Sequence, residues 1–261
     1  MSYLVNPYMV TPADPVLSGD TDLKAYWKFS ESSGTINNVS QASADLGSDA
    51  NITMSGGTYS QTGTPANFGT ALRFDGTDDY GYCGSSTSQF NFLHNQSALW
   101  TVCFWRKTLT LGTVNYFCDT CFTESTQVGF LARTESDNSI RWHISRGQDY
   151  TRPLSFVTSA DYIPDATDWH LYICAYDYNG SAPQAFCRRD NANEETSTNT
   201  GDIPSNSNST FPLIVGARDN NAGGHTNFFD GEYCEWSIWN KIVSDDDLSA
   251  LYNDGKGLEI Y

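Results

Sequence analysis

Basic residues are scarce in this chain: 14 Lys and Arg stand against 31 Asp and Glu in 261 residues, a formal net charge of −17. A surface that acidic repels phosphate backbones and anionic headgroups, which argues against a nucleic-acid partner or a polybasic membrane attachment. Long apolar runs are missing as well. No stretch of about 18 apolar residues occurs, so membrane insertion by a helix is not expected. The first ten residues, Met1 to Val10, have neither the basic start nor the sustained apolar stretch of a secretory signal. The chain is therefore expected to be made in a cytoplasm. Catalytic signatures are lacking too: there is no Gly-x-Ser-x-Gly elbow, no His-Glu-x-x-His and no phosphate-cradling Gly loop. His143 and His170 each follow a Trp inside an apolar run, where a structural role is favoured over that of a base.

An even cysteine count is also missing. Seven cysteines cannot all enter a closed disulfide framework. Cys103, Cys174, Cys187 and Cys234 lie in strand-like runs, where reduced thiols behave as small hydrophobes. Cys174 and Cys187 are symmetric about Gly180-Ser181, a hairpin tip, and face each other either as packed thiols or as a cross-strand disulfide. Cys118-Asp-Thr-Cys121 has the spacing of a metal knuckle, but no second pair completes a zinc site, and a turn with two incidental thiols is expected.

What is plentiful is aromatic and small polar. Trp, Tyr and Phe number 36, too many for a disordered acidic chain, and Ser, Thr and Asn number 74, which favours strands and turns over helices. Short apolar runs at 23–29, 70–75, 79–83, 99–107, 114–118, 127–133, 139–145, 169–177, 184–189, 211–217 and 229–239 alternate with Gly/Asn/Asp/Ser turns. That is the pattern of an all-β sandwich or barrel. Segments 30–66 and 190–210 read as loops too polar for core. One helix is predicted over 244–253, with Ser244 as N-cap, Asp245 to Asp247 in the first turn, Leu248, Leu251 and Tyr252 as its apolar stripe, and Gly255 as its stop. Residues 1–19, with Pro7, Pro12 and Pro15, read as an extended arm ahead of one domain over 20–261. Leu4, Val5, Tyr8 and Met9 suit that arm to anchoring on a second copy or a larger assembly.

Six segments in order resemble the laminin-G-like, concanavalin A-like jelly-roll family. They are Leu23–Gly34, Ala71–Tyr80, Trp100–Lys107, Asp168–Asp177, Phe211–Asn220, and Phe229–Asn240 with the capped helix behind it. The resemblance implies two antiparallel sheets, one convex and one concave, with the helix near the C-terminus. Some members bind calcium near the concave rim and use it to hold a sugar. Asp75, Asp78, Asp79 and Asp230 supply the hard oxygen donors that calcium requires, and Asp219, Asn220 and Asn221 supply more. Cys234 stands where the family commonly has an acidic residue, and Asp75-Gly76 and Asp230-Gly231 also suit tight turns.

The glucanases of that superfamily carry acids on alternate positions of one strand, and no such run occurs. Glu232 and Glu235, three apart, are expected on opposite faces of their strand. The expectation is a non-catalytic protein. Sugar binding would use aromatic rings beside Asn and Asp, and the candidates are Tyr150, Tyr178, Asn179, Asn220, Asn221, Phe228 and Trp239, with Asn227 nearby. On the strand 232–239, Cys234, Trp236 and Ile238 are predicted to face inward, and Tyr233, Glu235, Ser237 and Trp239 outward. Trp142, Trp169 and Trp236 are read as core, while Trp239 and Tyr178 suit either role. The combined expectation is a lectin-like surface protein, such as a capsid decoration or tail and fibre component of a virion that touches host glycans. The alternative is a free-standing lectin module of a cell-surface or secreted protein.

Overall fold

A computed structural model describes residues 19–40, 46, 50–121, 126–147, 152–220 and 222–260. Its strands are β1 (Leu23–Trp27), β2 (Ile52–Ser55), β3 (Thr58–Gln61), β4 (Ala71–Asp75), β5 (Tyr80–Cys83), β6 (Leu99–Thr108), β7 (Tyr116–Asp119), β8 (Val128–Thr134) and β9 (Ile140–Arg146). They continue with β10 (Leu154–Val157), β11 (Trp169–Asp177), β12 (Ala185–Arg189), β13 (Ala192–Ser197), β14 (Leu213–Val215), β15 (Arg218–Asp219), β16 (His225–Thr226) and β17 (Asp230–Trp239). Every strand pairing is antiparallel. An eight-stranded sheet has the order β13-β12-β11-β6-β17-β4-β3, and β1 also pairs with β17. A seven-stranded sheet has the order β10-β9-β8-β7-β14-β5-β2.

Residues at alternate positions of the two sheets meet in one aromatic layer. Trp100, Val102 and Phe104 of β6 face Phe130, Trp142 and Ile144 of β8 and β9. The intervening residues of β6 point to the opposite side. There Cys103 and Trp105 pack with Tyr26, Leu171, Leu248 and Leu251 beneath α1 (Asp245–Tyr252), so the eight-stranded sheet has apolar layers on both faces. The α1 cap is as its residues dictate: Ser244 Oγ accepts the Asp247 N–H, and three aspartates occupy the first turn. The helix ends at Asn253, left-handed at φ 46°, two residues before Gly255. Among the described residues no helix is long and apolar enough to cross a membrane.

β17 lies at the centre of this sheet. β6 runs along one side of it; β4 pairs with residues 230–233 and β1 with residues 236–239 on the other. Its alternation is interrupted. Cys234 is opposite Trp105 and Ser237 opposite Cys103, so β17 has one residue more than β6 over that interval. Glu235, at φ 51°, is the bulge. The extra residue reverses the predicted facing of Tyr233 and Cys234, which precede it, and leaves Trp236, Ile238 and Trp239 on the predicted sides. Tyr233, Trp236 and Ile238 share the inter-sheet core, while Cys234 and Trp239 face α1. Tyr233, Glu235, Ser237 and Trp239 are all buried rather than outward. The bulge also brings Glu232 and Glu235 to the same, α1-bearing side, because Glu232 is opposite Lys107 and Glu235 bonds Tyr26.

Three further expectations are corrected. Segment 30–66 contains β2 and β3 and places Ile36 and Ile52 in the core, and β13 occupies part of 190–210. Cys118 and Asp119 end β7 rather than forming a turn. Gly231 lies within β17, where an added Cβ would stand 2.2 Å from the Phe229 ring and 2.5 Å from the Lys107 carbonyl, so close packing rather than a turn requires glycine. The Asp75-Gly76 turn is as expected, with Gly76 at φ 76°.

Candidate ligand-binding rim

One end of the sandwich gathers much of the polar chemistry. β4 and β5 belong to different sheets, and the turn between them carries Asp75, Asp78 and Asp79, whose carboxylate oxygens lie within 4.8 Å of one another. Asp79 is buried and structural: Oδ1 accepts the Gly57 N–H at 2.6 Å and Oδ2 the Asp75 N–H at 2.8 Å. Burial raises its pKa against the lowering effect of those two bonds. Asp78 is exposed. Asp230 is drawn elsewhere, accepting Arg73 Nη2 at 3.1 Å and the Thr110 hydroxyl. The donor set of Asp75, Asp78 and Asp79 fits a hard cation, with Asp230 outside that triad.

Beside the turn lies an open depression of about 310 Å³, lined by Asp75, Thr110, Thr113, Asn227, Phe228 and Asp230 among others. One half-buried aromatic ring thus stands among hydroxyl, amide and carboxylate groups. Asn227 is held at φ 54° and donates from Nδ2 to the Val114 carbonyl at 3.1 Å, which fixes the approach to Phe228.

On the outer face of the seven-stranded sheet, adjacent to Asp79, β5 presents Tyr80 and Tyr82. Period-two alternation puts both on one face, with Gly81 and Cys83 turned inward. The β15–β16 hairpin folds over them. The His225 ring stacks on Tyr80 with centroids 3.8 Å apart, and His225 Nε2 is 2.9 Å from the Tyr82 hydroxyl. Burial lowers the His225 pKa against the raising effect of Asp219. Beneath the hairpin Asp119 is wholly buried; Oδ2 accepts the Asp219 N–H at 3.3 Å, and Oδ1 has no hydrogen-bond partner among the described residues. Burial pushes its carboxyl well up. Asn220 closes the hairpin turn, its Oδ1 accepting from Ala222 and Gly224 N–H.

The predicted sugar-binding residues therefore do not form one site. Asn220 and Phe228 belong to this rim. Tyr178 and Asn179 sit beyond the other end of β6, where Tyr178 N–H donates to Ala98 and Asn179 Nδ2 to Gln96. Leu99 and Thr108, at the two ends of β6, are roughly 30 Å apart at the usual strand rise. Tyr178 also packs against the core. Trp239 is fully buried, its Nε1 donating to Ser237 Oγ at 3.0 Å. Tyr150 and Asn221 lie outside the described residues. Tyr80, Tyr82 and His225 were not among the candidates, although the Tyr-Gly-Tyr alternation within a predicted strand would have signalled a paired aromatic face.

The histidines and tryptophans read as structural are so placed. His143 is buried against Ser155 Oγ at 3.0 Å, and His170 is held between Asp190 at 2.8 Å and Asp165 at 3.1 Å. Trp142 and Trp236 are core, and Trp169 packs on the α1 side. Glu235 is 7% exposed, and burial lifts its carboxyl to about 8. It lines, with Tyr26, Cys103 and Trp105, a cavity of about 10 Å³, which holds at most one water and no sugar.

Comparison with known proteins accords with this architecture. The receptor-binding domain of a botulinum neurotoxin C/D mosaic serotype superposes with a TM-score of 0.57 at 10% identity, over 89% of this chain and 51% of that one. A botulinum neurotoxin type C structure, described by its dependence on two ganglioside molecules for cell entry, gives 0.57 at 11% identity over 90% and 51%. The binding domain of neurotoxin DC in complex with SialylT gives 0.58 at 10% identity over 89% and 51%. The chain thus spans about half the length of these structures, and the likeness is one of fold. No curated protein matches the chain in sequence. A family model matches residues 75–249, and by that match the chain belongs to the concanavalin A-like lectin/glucanases superfamily.

Proposed function

We propose that this protein is a non-catalytic recognition domain that binds glycans at the rim formed by the β4–β5 turn, the Phe228 depression and the Tyr80–His225 stack. The observation that carries this reading is the depression, where the Phe228 ring is offered beside Thr110, Thr113, Asn227 and carboxylates in an open site. A ring that takes the C–H face of a sugar, with fixed polar groups to read its hydroxyls, is the chemistry such a ligand needs. The ganglioside and SialylT ligands named for the neurotoxin neighbours support testing sialylated glycans first. The absence of a catalytic motif and the enclosure of Glu235 support a binding role over glycoside cleavage.

The test is a glycan array followed by calorimetric titration. Phe228→Ala is expected to weaken a hit at least tenfold while leaving the melting temperature within about 2 °C. Binding unaffected by Phe228→Ala, or turnover of a chromogenic glycoside, would refute the assignment.

A calcium ion on Asp75, Asp78 and Asp79 is proposed as part of the same rim, supported by their convergence. The ion would supply positive charge and open coordination positions for sugar hydroxyls. We further propose display on a larger assembly such as a virion, with residues 1–19 as the anchor; all but Gly19 lie outside the described residues, and the support is the sequence alone. Deleting residues 2–18 is expected to abolish particle attachment and preserve glycan binding.

A further inference from the structure

All seven cysteines are free and buried, and two of them are directly opposed. Cys174 of β11 is the cross-strand partner of Cys187 of β12. The kind of pairing follows from the flanking ladder. Asp177 N–H donates to the Gln184 carbonyl at 2.9 Å, and Asp190 N–H to the Leu171 carbonyl at 2.7 Å. Hydrogen-bonded pairs recur at every second position of an antiparallel ladder, so Ala175–Phe186 and Ile173–Arg188 are also of that kind. Cys174–Cys187 falls between them as a non-hydrogen-bonded pair. Such pairs bring their Cα atoms to about 4.5 Å, within the range that disulfides span. The two thiols face the same inter-sheet core, with Tyr162 in the same cluster.

No other pair is so arranged. Cys118 packs in the main core and Cys121 in a separate cluster with Tyr116 and Leu131. Cys103 and Cys234 are offset along their strands, opposite Ser237 and Trp105 respectively. Cys83 donates to the Ala50 carbonyl at 3.1 Å.

We propose that Cys174 and Cys187 form a redox-responsive dithiol that closes to a cross-strand disulfide when the protein meets a low-molecular-weight disulfide. One cysteine, as thiolate, attacks the reagent RSSR, forming a mixed disulfide and releasing one RS⁻, which takes up a proton. The second then attacks the protein sulfur of that mixed disulfide and releases the other RS⁻, again protonated. Two protein thiols and RSSR thus become one protein disulfide and two RSH, with two electrons passing to the reagent. Access comes through opening of the β12–β13 hairpin, since β13 is the sheet edge and its pairing with β12 is irregular after Cys187. The product staples β11 to β12 and is independent of any ligand at the rim.

The test is incubation of the full chain with oxidised glutathione, in buffer and in urea below the unfolding transition, followed by non-reducing peptide mapping. The expected result is loss of two hydrogens in the intact mass, a linked Cys174–Cys187 peptide, and a melting temperature raised by roughly 5 °C that dithiothreitol reverses. Cys118→Ser should retain both changes and Cys187→Ser should lose both. Glutathionylation without closure, a linkage involving any other cysteine, or no reaction in either condition would each overturn the proposal. The wild-type peptide map decides it even if Cys187→Ser fails to fold.

Discussion

The guanidinium carbon of Arg106 lies 4.4 Å from the centroid of the Phe117 ring, a cation buried between the two sheets on an aromatic face. The Phe229 ring lies 4.6 Å away, and Arg106 Nη2 donates to Asn115 Oδ1 at 3.4 Å. Nε and Nη1 have no partner among the described residues. A planar cation stacked on rings is not replaced by an ammonium, whereas an apolar chain of similar length removes the cost of burying charge. Arg106→Lys is expected to lower stability by about 2 kcal/mol, and Arg106→Met to leave it within about 1 kcal/mol or raise it. Urea unfolding measures both; a larger loss in Arg106→Met than in Arg106→Lys would show that the charge itself is required.

Stability should fall as pH rises from about 5 to 8. The Glu235 carboxyl, lifted by burial from 4.5 to about 8, keeps its proton in the folded state while the unfolded chain releases it. Between those values the native state binds more protons, so the pH slope of unfolding free energy is negative. Glu235→Gln is expected to flatten that slope and to melt above the wild type at pH 8. A wild type whose melting temperature is level from pH 5 to 8 would contradict this.

His170 acts in the same direction at higher pH. Burial lowers its pKa, but hydrogen bonds to Asp190 and Asp165 outweigh this and the net shift is upward from 6.5. Its stabilisation is complete below pH 6.5 and is lost as pH rises through the folded value. His170→Asn is therefore expected to destabilise at pH 6 and much less at pH 9. Asp165 is held well below the usual carboxylate range, where bonds from Thr167, Asp168 and His170 outweigh burial; its contribution is lost in acid. Thermal melts across pH separate the two effects.

The acidic turn offers a clean division between structure and metal. Asp79→Ala removes the acceptor for two backbone N–H groups and should cost about 1–3 kcal/mol with or without calcium. Asp78→Asn should leave the metal-free melting temperature unchanged and abolish any rise produced by calcium. If calcium raises neither the wild type nor the variant, the triad holds no ion.

Much of the architecture was legible because local chemistry and tertiary need agree. Ser244 with three following aspartates could only begin a helix, and the symmetry of Cys174 and Cys187 about their turn gave the true register. Trp236 and Trp142 were core for the same reason. The facing of Tyr233 and Cys234 was not legible, because it depends on one left-handed glutamate that no glycine announces, and the burial of Trp239 depends on cover from α1. The polar strand β2 escaped notice, since only Ile52 of its four residues is buried. The rim was half visible. Phe228 and the aspartates declare themselves, but His225 reaches Tyr80 only through a two-residue strand too short to leave a pattern.

Gly231→Ala tests the packing at the start of β17. The added methyl would meet the Phe229 ring and the fixed Lys107 carbonyl, and only the ring can yield. A loss of about 2–4 kcal/mol is expected in urea unfolding. A loss below 1 kcal/mol would mean that the strand shifts to accommodate it.

The central place of β17 bears on the order in which the molecule can be assembled on the ribosome. β1, β4 and β6 have each emerged long before residues 230–239, yet among the described residues β1 has no other partner strand, and β4 and β6 are joined only through β17. A nascent chain ending before Asp230 therefore holds three strands with unfilled edges and Trp105 uncovered by α1. Residues 230–252 must be made before the larger sheet can close, which makes the chain that still lacks them the species most in need of a chaperone.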